Sequence, residues 1–394
     1  MKKIFKKNFL FLIVLFFLLI LSLEIISFIC CKFLGIEKKN KNTQRHLYHP
    51  YRGHQLNPDY KRKDDTNNEK IHTSKGFRQF EDIPYEKPID EYRIIFMGGS
   101  AAYGIGSGSP YPFHTSLKNN ETISFYIEQL LNKDLAPVIN KKIKVLNAAV
   151  TAYQTFQHLI YINEILYKYS PDLVIFFDGN NDFYFCNPEF NHFLDYQYSS
   201  IKLISSFNNK DLTFSFYSLT NSLSKYSFFF TLLSKISQKI WEQSQQFIDK
   251  TQIIKEPDFY SNYEKTAINT YIKAYKQIET LANIYKFKMI VCLQPQIIFE
   301  DPKQLNEYDL NNYQITIKNL KNDLNDLFQI RSFIFKVFDK YFPSLPFLDL
   351  SKLIDSKYKE NIYLDYCHLS PFGAKKSAEK ICNYIILNKK NLID

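Results

Sequence analysis

Four short stretches carry residue types that can do chemistry together. Gly98-Gly99-Ser100 presents a hydroxyl after two glycines, and residues 147–153 read Asn-Ala-Ala-Val-Thr-Ala-Tyr. Gly179-Asn180-Asn181-Asp182 offers a side-chain amide, and Asp365-Tyr366-Cys367-His368 offers a carboxylate and an imidazole. Acyl transfer needs a nucleophile, a base for its proton, a group that orients the base, and donors for the oxyanion. Ser100 supplies the hydroxyl. His368 titrates in the right range and can bond through both ring nitrogens. Asp365 can hold the far nitrogen in one tautomer, the logic of a serine–histidine–aspartate triad. The candidate oxyanion donors are the Asn181 amide and the backbone N–H groups of Ser100 and Ala152. Gly99, Gly179 and Asp182 support those loops. Each stretch also has a plainer reading. Asp-x-x-His can simply start a helix, Gly, Asn and Asp suit ordinary turns, and a glycine pair suits any strand–turn–helix joint. The order of the four along the chain favours one shared site.

Positioning them takes a sheet. Short β-branched runs at 93–97, 143–147, 172–177, 288–293 and 346–350 alternate with helical patterns at 122–132, 155–169, 263–285, 311–340 and 371–387. That alternation predicts a parallel sheet covered on both faces, a three-layer α/β/α domain over residues 91–390. In such a sheet reactive groups gather at the carboxyl ends of the strands. Ser100 follows the first run, 147–153 the second and Asn181 the third. Ser370 and Pro371 read as the N-cap and first residue of the last helix, with Asp365 and His368 on the loop before it. The alternation fails over 183–262, a helical insertion. Its stretch 214–247 holds Phe228-Phe229-Phe230 and Trp241. It reads either as a cap over the site that touches lipid or as an extra helix pair completing the core.

The chain opens on four lysines and an apolar run over 8–31. That run is long enough to cross a bilayer, and no small-x-small cleavage site follows it. Residues 1–36 are therefore expected to be an uncleaved anchor, with a cytoplasmic N-terminus and the larger domain outside the cytoplasm. Residues 37–90 are polar and read as a tether or a segment wrapping the domain surface. Fifty basic against forty acidic residues give a formal charge of +10. No zinc-finger spacing or RNA-binding signature accompanies that charge, so nucleic acid is not the expected partner. Six cysteines show no paired spacing, hence no disulfide framework or zinc site. Cys292 reads as a packed thiol, and His114, His158 and His192 as structural or surface residues.

In these four motifs the sequence resembles the SGNH, or GDSL-like, hydrolases over roughly 76–388, and is most similar to membrane-anchored bacterial members with a Gly-Phe-Arg segment like Gly76-Phe77-Arg78 before the first strand. The resemblance implies a flavodoxin-like sheet, no metal or other cofactor, and ester substrates. It implies Ser100 as nucleophile, His368 as base, Asp365 as its orienter and Asn181 as an oxyanion donor. Two departures stand out: Gly-Gly-Ser replaces Gly-Asp-Ser, and Ala152 occupies the position of the second block's glycine. The activity expected is hydrolysis of an acyl or acetyl ester on a lipid, glycan or small molecule. The alternatives are an O-acyltransferase modifying cell-surface glycans and a membrane-anchored binding protein that retains the fold without catalysis.

Overall fold

The computed structural model describes residues 2–36, 45–58, 60–61, 70–108, 111–184, 212–249, 259–319, 331, 335–336 and 338–393. Cys186, His192 and much of the predicted helix at 311–340 lie outside them. The chain divides into two units, Met1–Arg45 with Leu194–Glu256, and His46–Phe193 with Pro257–Asp394.

The larger unit begins with an antiparallel hairpin, β1 (His46–His49) and β2 (Gly53–Leu56). Its main sheet has strands β3 (Glu91–Gly98), β6 (Lys142–Asn147), β7 (Leu173–Asp178), β8 (Lys288–Leu293) and β9 (Phe347–Asp349). A second hairpin, β4 (Ile105–Gly108) and β5 (Tyr111–Ser116), follows the first sheet strand. The main sheet runs β6-β3-β7-β8-β9, parallel throughout. This is the flavodoxin-like order, and the direction of winding reverses beside β3. Every residue of β3 and β7 is buried, as expected for parallel strands covered on both faces.

The connections are helical. Helix α3 (Ile123–Asp134) and the short α4 (Ala136–Ile139) join β3 to β6, and α5 (Thr155–Glu164) joins β6 to β7. Helix α9 (Phe259–Tyr285) leads into β8, and α10 (Glu307–Asn319) follows it. Helix α11 (Pro371–Leu387) closes the unit and packs on α3, while α9 packs on α5. The caps follow local chemistry. Thr122 Oγ1 accepts from the Phe125 N–H at 3.3 Å, and Ser370 Oγ accepts from the Gly373 N–H at 3.0 Å. Helix α10 starts earlier than the predicted 311 because Asn306 Oδ1 accepts from the Asp309 N–H at 2.9 Å and caps it. The predicted helix over 155–169 ends its α-helical part at Glu164 and finishes in a 3-10 turn, Leu166–Tyr169.

The polar segment before β3 is no loose tether. Its Arg52 and Arg78, with Arg93 of β3, are among the largest fully buried side chains. Arg93 Nη1 donates to the carbonyls of Pro84, Tyr85 and Tyr169 at 2.9, 3.1 and 2.9 Å. The Arg78 guanidinium donates to the carbonyls of Tyr103 and Leu117. The described residues of 46–90 thus form a strap: Arg78 donates to carbonyls of the sheet body, and Arg93 of β3 donates to carbonyls of the strap. Its buried apolar residues, Leu56, Ile71, Phe77 and Ile83, follow no regular period, and its other buried groups are polar.

The smaller unit contains α1 (Lys2–Phe33), α7 (Leu212–Leu223) and α8 (Phe228–Asp249). Helices α7 and α8 pack on each other, and α8 packs on α1. The pair therefore groups with the N-terminal helix rather than completing the core of the α/β unit, contrary to that alternative.

Gly98 fixes the joint between β3 and the Ser100 turn. A Cβ there would lie 2.2 Å from the Phe177 carbonyl oxygen and 2.5 Å from Ala102 Cβ. Overpacking a core costs about 1–3 kcal/mol. Gly98→Ala is expected to lower the thermal unfolding midpoint of the detergent-solubilised protein by several degrees, measured by circular dichroism.

Candidate active site

Three strand-end loops and the loop before α11 meet at the carboxyl edge of the sheet, where the strand order reverses. Ser100 opens the four-residue helix α2 (Ser100–Tyr103) directly after β3. This turn is held from behind by the strap: His72 Nδ1 donates to the Asn57 carbonyl at 2.8 Å, and His72 Nε2 accepts from the Tyr103 hydroxyl at 2.7 Å.

The loop after β6 runs against the same edge. The Val150 N–H donates to the Gly98 carbonyl at 3.1 Å. Ala152 adopts φ +62°, a left-handed conformation that a Cβ disfavours but does not forbid. The neighbouring strap braces this turn: His54 Nε2 donates to the Thr151 carbonyl at 2.8 Å. The Tyr153 hydroxyl donates to the His54 carbonyl at 2.6 Å and accepts from Arg52 at 3.1 Å.

The loop after β7 begins α6 (Asn180–Tyr184). Asn181 Nδ2 donates to the Tyr153 carbonyl at 2.8 Å, tying this loop to the previous one. A Cβ on Gly99 would lie 2.3 Å from that same Nδ2. The Asn181 amide therefore lies flat against the backbone next to Ser100. A side chain at position 99 would require the Asn181 amide to shift.

The fourth loop carries the imidazole. Asp365 Oδ1 accepts from the backbone N–H groups of Cys367 and His368 at 2.9 and 2.8 Å. Its Oδ2 accepts from His368 Nδ1 at 2.6 Å. Nε2 of the same ring then accepts from the Ser100 hydroxyl at 2.8 Å. Burial works to lower the pKa of His368, but the Asp365 charge and hydrogen bond outweigh it, and the ring is held well above its ordinary value. The loop has its own footing. Asp309 accepts from the N–H groups of Ile362 and Tyr363 at 2.9 and 3.1 Å, and Glu300 accepts from the Tyr363 hydroxyl at 2.6 Å and the Leu353 N–H at 2.7 Å.

Ser100, Asp365 and His368 are thus joined by hydrogen bonds, with Gly99 and Asn181 in contact beside them. Ala152 and Asp182 lie on adjoining loops. Asp365, Cys367 and His368 offer ligand atoms within 4.8 Å of one another. The carboxylate and ring are bonded to each other, and burial pushes the Cys367 thiol up, away from the thiolate that binds metals. His158 is buried in the core, with burial driving its pKa down to about 3.

Sequence reasoning missed the group beneath Asn181. Asp178 Oδ2 accepts from the Tyr275 hydroxyl at 2.6 Å and from Thr155 Oγ1 at 3.3 Å, and Asp178 Oδ1 from the Tyr271 hydroxyl at 3.4 Å. Asp182 Oδ1 accepts from the Thr155 N–H at 2.9 Å. The available signal was Tyr271 and Tyr275, four apart on one helix face. Burial first, then the charge of Asp182, raises Asp178 well above its usual range. Burial pushes Asp182 up to about 6.

Solved esterases and lipases are similar to this chain. A lipase from a goat rumen metagenome matches at 12% identity and TM-score 0.38, covering 74% of this chain and 97% of its own. An acetylxylan esterase from Geobacillus stearothermophilus matches at 12% identity and TM-score 0.36, covering 75% and 94%. A GDSL-like lipase from Bacteroides thetaiotaomicron matches at 11% identity and TM-score 0.33, covering 77% and 92%. No protein-family model matches the chain, and no curated protein does.

A carboxyl whose pKa rises on folding stabilises the fold in its protonated form. For Asp182 that contribution is complete below its ordinary value of 3.8 and lost as pH rises through about 6. Asp182→Asn keeps an acceptor for Thr155 and removes this dependence. Its unfolding midpoint is expected to gain on wild type as pH rises from 4 to 7, read by differential scanning fluorimetry across that range.

Proposed function

We propose that this protein is a serine-dependent ester hydrolase of the SGNH type. The observation that carries the reading is the chain of two hydrogen bonds from Asp365 through His368 to Ser100, 2.6 and 2.8 Å long. Ser100 Oγ attacks the ester carbonyl carbon as His368 Nε2 takes its proton. Asp365, fixed by two backbone N–H groups, favours the imidazolium. The developing oxyanion is held by the Asn181 amide and the N–H groups of Ser100 and Ala152. One such donor is worth about 2.7–4 kcal/mol in the transition state. Collapse expels the alcohol, protonated by His368. Water, deprotonated by the same ring, then attacks the acyl-serine and releases the acid. The substrate is an acyl or acetyl ester on a lipid, glycan or small molecule. No metal or cofactor takes part in this scheme.

The reading includes a membrane anchor. Val14–Phe33 is apolar over 20 residues, and 11% of it is buried. We read it as an uncleaved span with a cytoplasmic N-terminus and the hydrolase outside the cytoplasm.

A fluorophosphonate probe is expected to label the wild-type chain and to leave Ser100→Ala unlabelled. Equal labelling of both in a gel assay overturns the nucleophile. Catalysis needs the neutral ring, so kcat/KM falls as pH drops through the raised pKa of His368. Asp365→Asn removes the charge that raises it. That limb is expected to move to lower pH while kcat falls by up to about 10⁴-fold, read from a pH–rate profile on p-nitrophenyl acetate.

A further inference from the structure

The helix pair α7–α8 is built inside out for a protein surrounded by water. Among the described residues its buried side chains are small hydroxyls: Thr220, Ser224, Thr231, Ser234 and Ser237. They bond along the seam. Thr220 and Ser237 hydroxyls lie 2.9 Å apart, Thr231 Oγ1 donates to the Ser224 carbonyl at 2.8 Å, and Ser234 Oγ donates to Asn221 at 3.4 Å. Phe216, Leu219, Ile236 and Ile240 face outward, each about half exposed, while Leu223, Leu232 and Leu233 are half-buried. A helix pair in water buries its apolar stripe and exposes its polar one. Helices in lipid do the reverse, packing on small residues joined by hydroxyl bonds.

A second observation fixes the depth. Glu24 lies ten residues after Val14 and nine before Phe33 in the apolar stretch. An isolated carboxylate there is costly in hydrocarbon. It is instead taken up by the first turn of α8. Glu24 accepts from the Ser227 hydroxyl at 2.6 Å and from the N–H groups of Phe228 and Phe229 at 2.7 and 3.2 Å. The Phe28 and Phe228 rings pack edge to face at 5.0 Å, one turn further along α1. Cys31 Sγ donates to the Phe228 carbonyl at 3.9 Å, so the first turn of α8 lies between the levels of Glu24 and Cys31. At 1.5 Å per residue that is roughly 3–14 Å inside the end of the span at Phe33.

The charges agree with this depth. Residues 212–234 contain one charge, Lys225, and the next cations, Lys235 and Lys239, follow along α8. Lys239 lies about 16 Å along the helix from Phe228, the reach of one bilayer leaflet. Lys225 is the single cost. Its ammonium stands 4.7 Å from the Tyr226 ring centroid, which replaces part of its lost hydration.

We propose that α7–α8 is a re-entrant hairpin that dips into the hydrocarbon of one leaflet and docks on α1 through Glu24. The inference rests on α1 spanning the membrane, and it adds a second membrane-embedded element from the middle of the chain. The partner of its outward face is the acyl region of a lipid bilayer.

The test uses the full chain in phosphatidylcholine vesicles, where Trp241 is the one native tryptophan. Trp241→Phe is combined with Phe216→Trp to report on the hairpin, and separately with Leu19→Trp to report on α1. Lipids brominated on the acyl chain are expected to quench most of the emission at both positions, and aqueous iodide at neither. Quenching by bromolipid at 19 with iodide access at 216 overturns the hairpin and leaves the anchor. Iodide access at both positions overturns the anchor and the hairpin with it.

Discussion

The hydrogen bond between the Ser100 hydroxyl and the His368 ring joins residues 268 apart in sequence, and the surrounding structure serves to keep it short. A side chain on a loop wanders unless its neighbours hold it, and catalytic geometry tolerates about half an ångström. Asp365 answers this by dividing its work between its oxygens. One grips the backbone of its own loop and the other grips the ring. Asp309 and Glu300 then hold that loop to the body through backbone N–H groups and a tyrosine hydroxyl. On the other side, Gly98 and Gly99 let the Ser100 turn press against Phe177 and Asn181 without a side chain between them.

The field at the site is also managed. Asp178 and Asp182 flank Asn181, and two ionised carboxylates there would oppose a developing oxyanion. Burial disfavours ionisation of both, and the charge of Asp182 adds to the cost at Asp178. Tyr271, Tyr275 and Thr155 give the acids hydrogen-bond partners without adding charge. Burial thereby lowers the negative charge beside the proposed oxyanion donor.

Much of this was legible in the sequence because the signals are local. All five sheet strands were readable as apolar runs, since strands buried on both faces need no alternation. The residues now in contact around Ser100 were readable because glycine, an amide and a capped helix start leave marks within a few positions. A surface-wrapping segment at 37–90 was one of two readings, but the groups that hold it were not readable. Arg52, Arg78 and Arg93 look like surface charges, and their burial rests on carbonyls, rings and the carboxylates of Glu164 and Glu91. The Asp178 group was hidden for the same reason, since its tyrosines come from a helix nearly a hundred residues later. The helix pair at 212–249 showed its apolar residues plainly, but not which side they face. That depends on the solvent, and sequence periodicity does not name it.

The strap changes where this protein can be divided. Strand periodicity invites a boundary just before Glu91, where the first sheet strand begins. A chain shortened there would lose His54 from the Thr151 carbonyl, Arg52 from Tyr153 and Arg78 from the end of the Ser100 helix. The sheet would keep its own pairing, yet the rim would stand without its backing. The smallest autonomous piece of this enzyme-like body therefore starts at the hairpin of His46, not at the sheet.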